Sequence, residues 1–115
     1  PFNVSAPALA GAGAALDDDE FVEKSIASNE AGKAQLFPAL ASLGLSQYPT
    51  QANFYALEVP VSATRAYEDL LREGIIVRSG DALRMPGRLR ITIGTQEENA
   101  MLLAALERLA QSWRA

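Results

Sequence analysis

Cysteine and histidine are both absent from the 115 residues, and lysine occurs only twice, at Lys24 and Lys33. Without cysteine there is no disulfide frame, no thiol nucleophile and no thiolate zinc site. Without histidine there is no imidazole base, no Ser-His-Asp triad and no imidazole metal ligand. The chemistry that remains belongs to carboxylates, hydroxyls, tyrosine, arginine and the two lysines, a narrow set for a self-contained enzyme. No catalytic residue and no metal ligand is assigned within the chain. The lack of cysteine is compatible with a reducing cytoplasm, the compartment expected here. Long apolar runs are missing too: nothing approaches the roughly 18 to 20 residues that a membrane span needs, so no membrane partner is expected. Ala6 to Leu16 has the Ala and Gly content of a signal-peptide core but lacks a basic stretch before it. The chain opens on Pro1 rather than Met, which suggests a processed or excised piece.

Hydrophobic residues make up 49% and charged residues 21%, the balance of a globular domain with a real core, and residues 1–115 are read as one domain. The net charge of −4 speaks against a nucleic-acid binder of the usual electrostatic kind. It hides an asymmetry. Eight of the ten basic residues are arginine, and four of these fall from Arg78 to Arg90, whereas acids gather from Asp17 to Glu30.

The spacing of apolar residues predicts seven elements. Asn3 or Ser5 caps an Ala-rich helix to about Leu16, with Pro7 in its first turn and with Gly11 and Gly13 allowing a close neighbour. Asp17 to Glu20 opens a long helix to about Leu43, its carboxylates serving as cap and dipole partners in preference to a metal cluster. Val22, Ile26, Leu36, Leu40 and Leu43 give that helix its stripe, Pro38 should kink or split it, and Gly44 should stop it. Asn53 to Val59 reads as a strand, and Ser62 caps a helix with Ala63, Ala66, Tyr67, Leu70 and Leu71 on one face. Ile75-Ile76-Val77 is a β-branched run suited to a second strand. Leu89 to Ile93 alternates, with Arg90 and Thr92 on the outward face. Thr95-Gln96-Glu97-Glu98 is a capping box for a last helix with Leu102, Leu106, Leu109 and Trp113 in line. A strand–helix–strand unit with the alternating strand antiparallel to both predicts an α+β two-layer sandwich. Its small three-stranded mixed sheet carries helices on one face.

Arg78 and Arg90 are the leading functional candidates, because a guanidinium on a rigid strand offers a donor fork matched to carboxylate or phosphate. The alternative is a solvated polar face on which they pair with Asp81 or Glu58. Lys24 and Lys33 read as surface lysines, since nothing around them suggests the desolvated pocket of a Schiff-base lysine. The two glycines of the first helix follow no strand and form no phosphate loop.

Four segments in register resemble histidinol-phosphate aminotransferases and their close relatives, within the fold-type I aminotransferase family. They are Pro1-Phe2-Asn3-Val4-Ser5 with the Ala-rich helix and Leu16-Asp17-Asp18; Tyr48-Pro49-Thr50-Gln51-Ala52-Asn53-Phe54; Gly74-Ile75-Ile76-Val77-Arg78; and Leu89-Arg90-Ile91-Thr92-Ile93-Gly94-Thr95 with Glu97-Glu98-Asn99. Together they cover nearly the whole chain. The resemblance implies the C-terminal small domain, with the large domain that holds pyridoxal phosphate and its lysine lying outside these residues. It implies a full-length, homodimeric enzyme exchanging an amino group between histidinol phosphate and glutamate/2-oxoglutarate. It also implies a catalytically inert fragment, with no cofactor bound to these residues alone. Arg90 would bind the substrate carboxylate or phosphate, Arg78 would be the second anion contact, and Thr92 would support Arg90. Asn3 and Asn53 would lie near the pocket rim without an assigned role, and Arg84 and Arg88, in the loop from Ser79 onward, would reach either the site or solvent. The resemblance also allows another aminotransferase or decarboxylase of the family; outside it, the alternative is a free-standing binding or regulatory module.

Overall fold

A computed structural model describes residues 3–114, so Pro1 and Phe2 of the first resembling segment lie outside the described residues. Four helices, α1 (Ala6–Ala15), α2 (Asp19–Ser42), α3 (Ala63–Arg72) and α4 (Gln96–Arg114), accompany three strands, β1 (Phe54–Glu58), β2 (Arg78–Ser79) and β3 (Arg88–Thr92). The sheet order is β1-β3-β2, and β3 runs antiparallel to both neighbours. β1 and β2 therefore point the same way, as the strand–helix–strand unit requires, but they never touch. Every pairing in the sheet is antiparallel, so the expected mixed sheet is corrected to an antiparallel one: β3 lies between the two strands that share a direction.

Alternation sorts the sheet into two faces. Tyr55, Leu57, Leu89 and Ile91 point inward and are buried against Leu36 and Leu40 of α2, Ala66 and Leu70 of α3, and Leu102 and Leu106 of α4. No helix among the described residues covers the opposite face. Tyr55 meets the edge of Phe37 with ring centroids 5.6 Å apart. Its hydroxyl is buried without a hydrogen-bond partner, and burial pushes the phenol well above the ordinary tyrosine range. Removing an unsatisfied buried hydroxyl costs nothing in lost bonds. Tyr55→Phe is thus expected to leave stability unchanged or raise it by up to about 1 kcal/mol in thermal denaturation. A loss larger than that would mean that the hydroxyl is bonded.

Local signals explain most element ends. The Asp18 carboxylate accepts the Phe21 N–H at 3.0 Å and the Ser62 hydroxyl oxygen accepts the Arg65 N–H at 3.2 Å, so both act as caps. Gly44 takes φ +68, which lets the Leu45 N–H donate to the Leu40 carbonyl and lets buried Leu45 close over the end of α2. In the capping box the Thr95 N–H donates to Glu98 at 2.8 Å and the Glu98 N–H donates back to the Thr95 hydroxyl at 3.3 Å. The Thr95 backbone N–H and then its hydroxyl hold the Glu98 carboxyl below the ordinary glutamate range.

Four further expectations need correction. The Ala-rich helix α1 exists, capped by Ser5, but it buries no residue, and nothing lies within 4 Å of a Cβ built on Gly11 or Gly13. Within the described residues it has no close neighbour. Val22 and Ile26 of α2 are likewise exposed, so the stripe begins only at Gly32. Pro38 neither splits nor ends α2, which runs 24 residues through it. Ala34, whose carbonyl loses its helical donor, is exposed, and water can replace that donor. Finally, Ile75 to Val77 is not a strand. Gly74, at φ +79, ends α3 so that the Ile75 N–H donates to the Leu70 carbonyl at 2.9 Å, and pairing with β3 starts only at Arg78.

The outer side of β1 is closed by the loop before it. Gln47 bridges to Leu57, the Tyr48 N–H donates to the Ala56 carbonyl, and the Glu58 N–H donates to the Ser46 carbonyl.

Candidate functional site

The uncovered face of the sheet carries the arginines. In register, Ala56 lies opposite Arg90, Glu58 opposite Arg88 and Phe54 opposite Thr92, while on the other side Arg78 lies opposite Arg90. Directly opposed residues of antiparallel strands share a face. Arg78, Arg88, Arg90 and Thr92 therefore all stand on it, together with Phe54, Ala56 and Glu58.

The three arginines are not equivalent. Arg88 is tied down: its Nε and Nη2 both donate to the Tyr48 hydroxyl, at 3.1 and 2.7 Å, and its guanidinium lies 5.0 Å from the Tyr48 ring centre. Glu58 lies 3.9 Å from it. Arg90 is half-buried and its guanidinium lies 4.0 Å above the centre of the Phe54 ring. Among the described residues neither Arg90 nor Arg78 has a carboxylate within ion-pair distance. The pairing of Arg78 or Arg90 with Asp81 or Glu58, expected in the alternative, is not found among the described residues. Asp81 instead accepts the hydroxyls of Thr64 and Ser79, and Glu58 faces Arg88.

Two like charges placed directly opposite on a sheet repel. A planar guanidinium fork can take a carboxylate or phosphate with two parallel bonds. The surface can bind and orient such a group. The carboxylate that the register places on that face, Glu58, is set against Arg88.

The remaining named residues fall elsewhere. Arg84 stands in the turn after a short 3-10 segment (Asp81–Leu83), with a left-handed φ of 58, exposed and off the strand. Asn3 is exposed, and Asn53 acts through its carbonyl, which accepts the Ile93 N–H at 2.9 Å. Lys24 is exposed and paired with Glu20 at 2.5 Å. Lys33 is buried, against the expectation of a surface lysine, and pairs with Glu30 of its own helix at 2.7 Å. An open apolar groove of about 510 Å³ lies between Ile75–Val77, the end of β3 and the start of α4, and a smaller one of about 340 Å³ lies beside Gly32; neither is lined by a lysine.

Residue-type reasoning misplaced one contributor and left another out. Arg88 belongs to β3 rather than to the preceding loop, and period-two spacing from Arg90 already puts it on the same face. Asn99 is buried, accepts the Gly94 N–H at 3.0 Å, and donates to the Gly94 carbonyl at 3.1 Å and to Gln35 at 3.3 Å. A polar residue on the inner stripe of an amphipathic helix is the signal that could have revealed it.

Residues 1–106 match the family model for aminotransferase class I and II. A histidinol-phosphate aminotransferase of Methylobacillus flagellatus is 48% identical over 112 residues, 97% of this chain and 30% of that protein. Histidinol-phosphate aminotransferase 1 of Nitrosococcus oceani is 43% identical over 114 residues, 99% of this chain and 31% of that one. In the solved structures, the histidinol-phosphate aminotransferase of Clostridium acetobutylicum superposes with a TM-score of 0.77 over 84% of this chain and 30% of its own; at 22% identity this likeness shows the fold alone. The chain spans about 30% of the length of the curated relatives it matches.

Proposed function

The chain belongs to the class I and II aminotransferase family, and from that premise we propose that it is the C-terminal small domain of an aminotransferase, holding the anionic group of the substrate. One observation carries the reading: Arg78 and Arg90 face each other in register on an uncovered sheet, and no carboxylate among the described residues neutralises either. Such a pair is costly without an anion and useful with one.

The family works with pyridoxal phosphate. The lysines present do not fit the position that carries it. Lys24 is a solvent-exposed ion-pair partner, Lys33 is held by Glu30, and neither lines a groove or stands on the arginine face. The cofactor site and its lysine are therefore assigned to residues outside the described chain, and these residues alone are proposed to be catalytically inert, with no cofactor of their own. What the chain contributes is binding and orientation. Arg90 takes the anion through its in-plane donors, Arg78 approaches it from the neighbouring strand, and Thr92 extends the polar strip.

The names of its relatives support histidinol phosphate as one substrate; glutamate/2-oxoglutarate as the other, and a dimeric cytoplasmic enzyme, are part of the same proposal. Histidinol phosphate carries a phosphate where an amino acid carries a carboxylate, and one guanidinium pair can serve both in turn. No helix among the described residues is long and apolar enough to cross a membrane. The enzyme that contains this chain is expected to transaminate histidinol phosphate with 2-oxoglutarate in a coupled glutamate assay. Turnover of other amino acids with none of histidinol phosphate would overturn the substrate and leave the anion site standing.

A further inference from the structure

We propose that Phe54 is the positioning residue for Arg90, fixing the guanidinium by stacking so that all of its N–H donors remain free for the substrate anion. The inference rests on the reading of Arg90 as the anion contact.

A sheet arginine awaiting an anion must be held without being neutralised. A carboxylate would hold it but would compete with the substrate, which is the condition of Arg88, whose donors are committed to Tyr48 and whose nearest anion is Glu58. An aromatic ring holds it differently. The ring attracts the cation through its face, occupies one side of the guanidinium plane and leaves the in-plane N–H groups unbonded. The guanidinium of Arg90 sits 4.0 Å from the centre of Phe54, closer than that of Arg88 to Tyr48, at 5.0 Å.

The backbone that carries the ring is itself held. The Thr50 hydroxyl donates to the Phe54 carbonyl at 2.8 Å and accepts the Ala52 N–H at 3.0 Å, closing a tight turn immediately before β1. Asn29 of α2 donates to the Ala52 carbonyl, and the Ile93 N–H donates to the Asn53 carbonyl. The segment Tyr48 to Phe54 thus ends in a ring whose backbone is fastened to α2 and to β3. Phe54 stands opposite Thr92, diagonal to Arg90, and a diagonal pair is within reach of side chains of this length. Holding the guanidinium before the anion arrives removes part of the ordering cost of binding.

The test uses the full 115-residue chain, titrated with inorganic phosphate and followed at the arginine Nε–Hε resonances. In the wild-type chain the Arg90 Hε is expected upfield, displaced by the Phe54 ring, and phosphate should perturb it. Phe54→Leu should abolish the displacement and weaken phosphate binding about fivefold, the scale of a partly desolvated cation–π contact. Phe54→Tyr should keep both. The Trp113 indole, which donates to Asp69 at 3.0 Å, reports whether each variant is folded; Phe54→Met is a second non-aromatic replacement should the leucine variant fail that check. If Arg90→Ala abolishes phosphate binding while folded Phe54→Leu or Phe54→Met binds like wild type, the positioning role is overturned and the anion contact stands. If Arg90→Ala binds phosphate as wild type does, the anion contact itself is overturned, and the role of Phe54 with it.

Discussion

Replacing Arg90 with alanine in the enzyme that contains this chain is expected to cut kcat/KM by about a hundredfold or more for both substrates. Two parallel charge-assisted bonds disappear, and a phosphate or carboxylate is left facing Arg78 alone; together these are worth about 3 kcal/mol or somewhat more. At about 1.4 kcal/mol per decade that is two orders of magnitude. On the proposed reading, in which both substrates place an anion at the same position, both half-reactions should suffer, and most of the loss should appear as raised KM. Arg90→Lys should recover only part of it: the charge returns, but the planar fork and its stacking on Phe54 do not. Steady-state kinetics with each substrate varied in turn make the measurement, and wild-type constants for the alanine variant would remove Arg90 from the site.

The second large effect is on stability. Asn99→Leu is expected to cost about 3 kcal/mol in denaturant unfolding and to lower Tm by about 10 °C. The side chain is almost completely buried and satisfies both backbone groups of Gly94 as well as Gln35. A leucine of similar size fills the space and leaves the Gly94 N–H and carbonyl without their side-chain partner. It also loosens the contact of α2 with the β3–α4 turn. Gly32 of α2 lies close there, where a Cβ would strike Ile93 and Asn99. A loss below about 1 kcal/mol would mean that water or a shift of the turn replaces these bonds.

Much of the fold was legible because local and global signals agree. The capping box, the Gly44 stop and the alternation of Leu89 to Ile93 are each decided within a few residues. Ile75 to Val77 was misread because β-branching reports a preference for extended backbone and not the presence of a partner strand; the Leu70 carbonyl takes the Ile75 N–H first. The packing of α1 was misread for a related reason. Small residues permit close approach, but they do not say what approaches. Arg78 and Arg90 could be picked out by residue type and strand position, whereas their direct opposition depends on register, which no single strand encodes. The tethering of Arg88 by Tyr48 joins residues 40 positions apart and has no local signature.

The way the sheet ends has a consequence for the chain while it folds. An exposed strand edge is a template on which another molecule can add a strand, and small sheets are prone to this. Here one edge, β2, is only two residues long and carries Arg78, while the outer side of β1 is stitched to Ser46, Gln47 and Tyr48. Neither edge presents a long row of free backbone groups. The surface proposed to bind a small anion can thereby stay open without recruiting neighbouring copies into intermolecular β-structure.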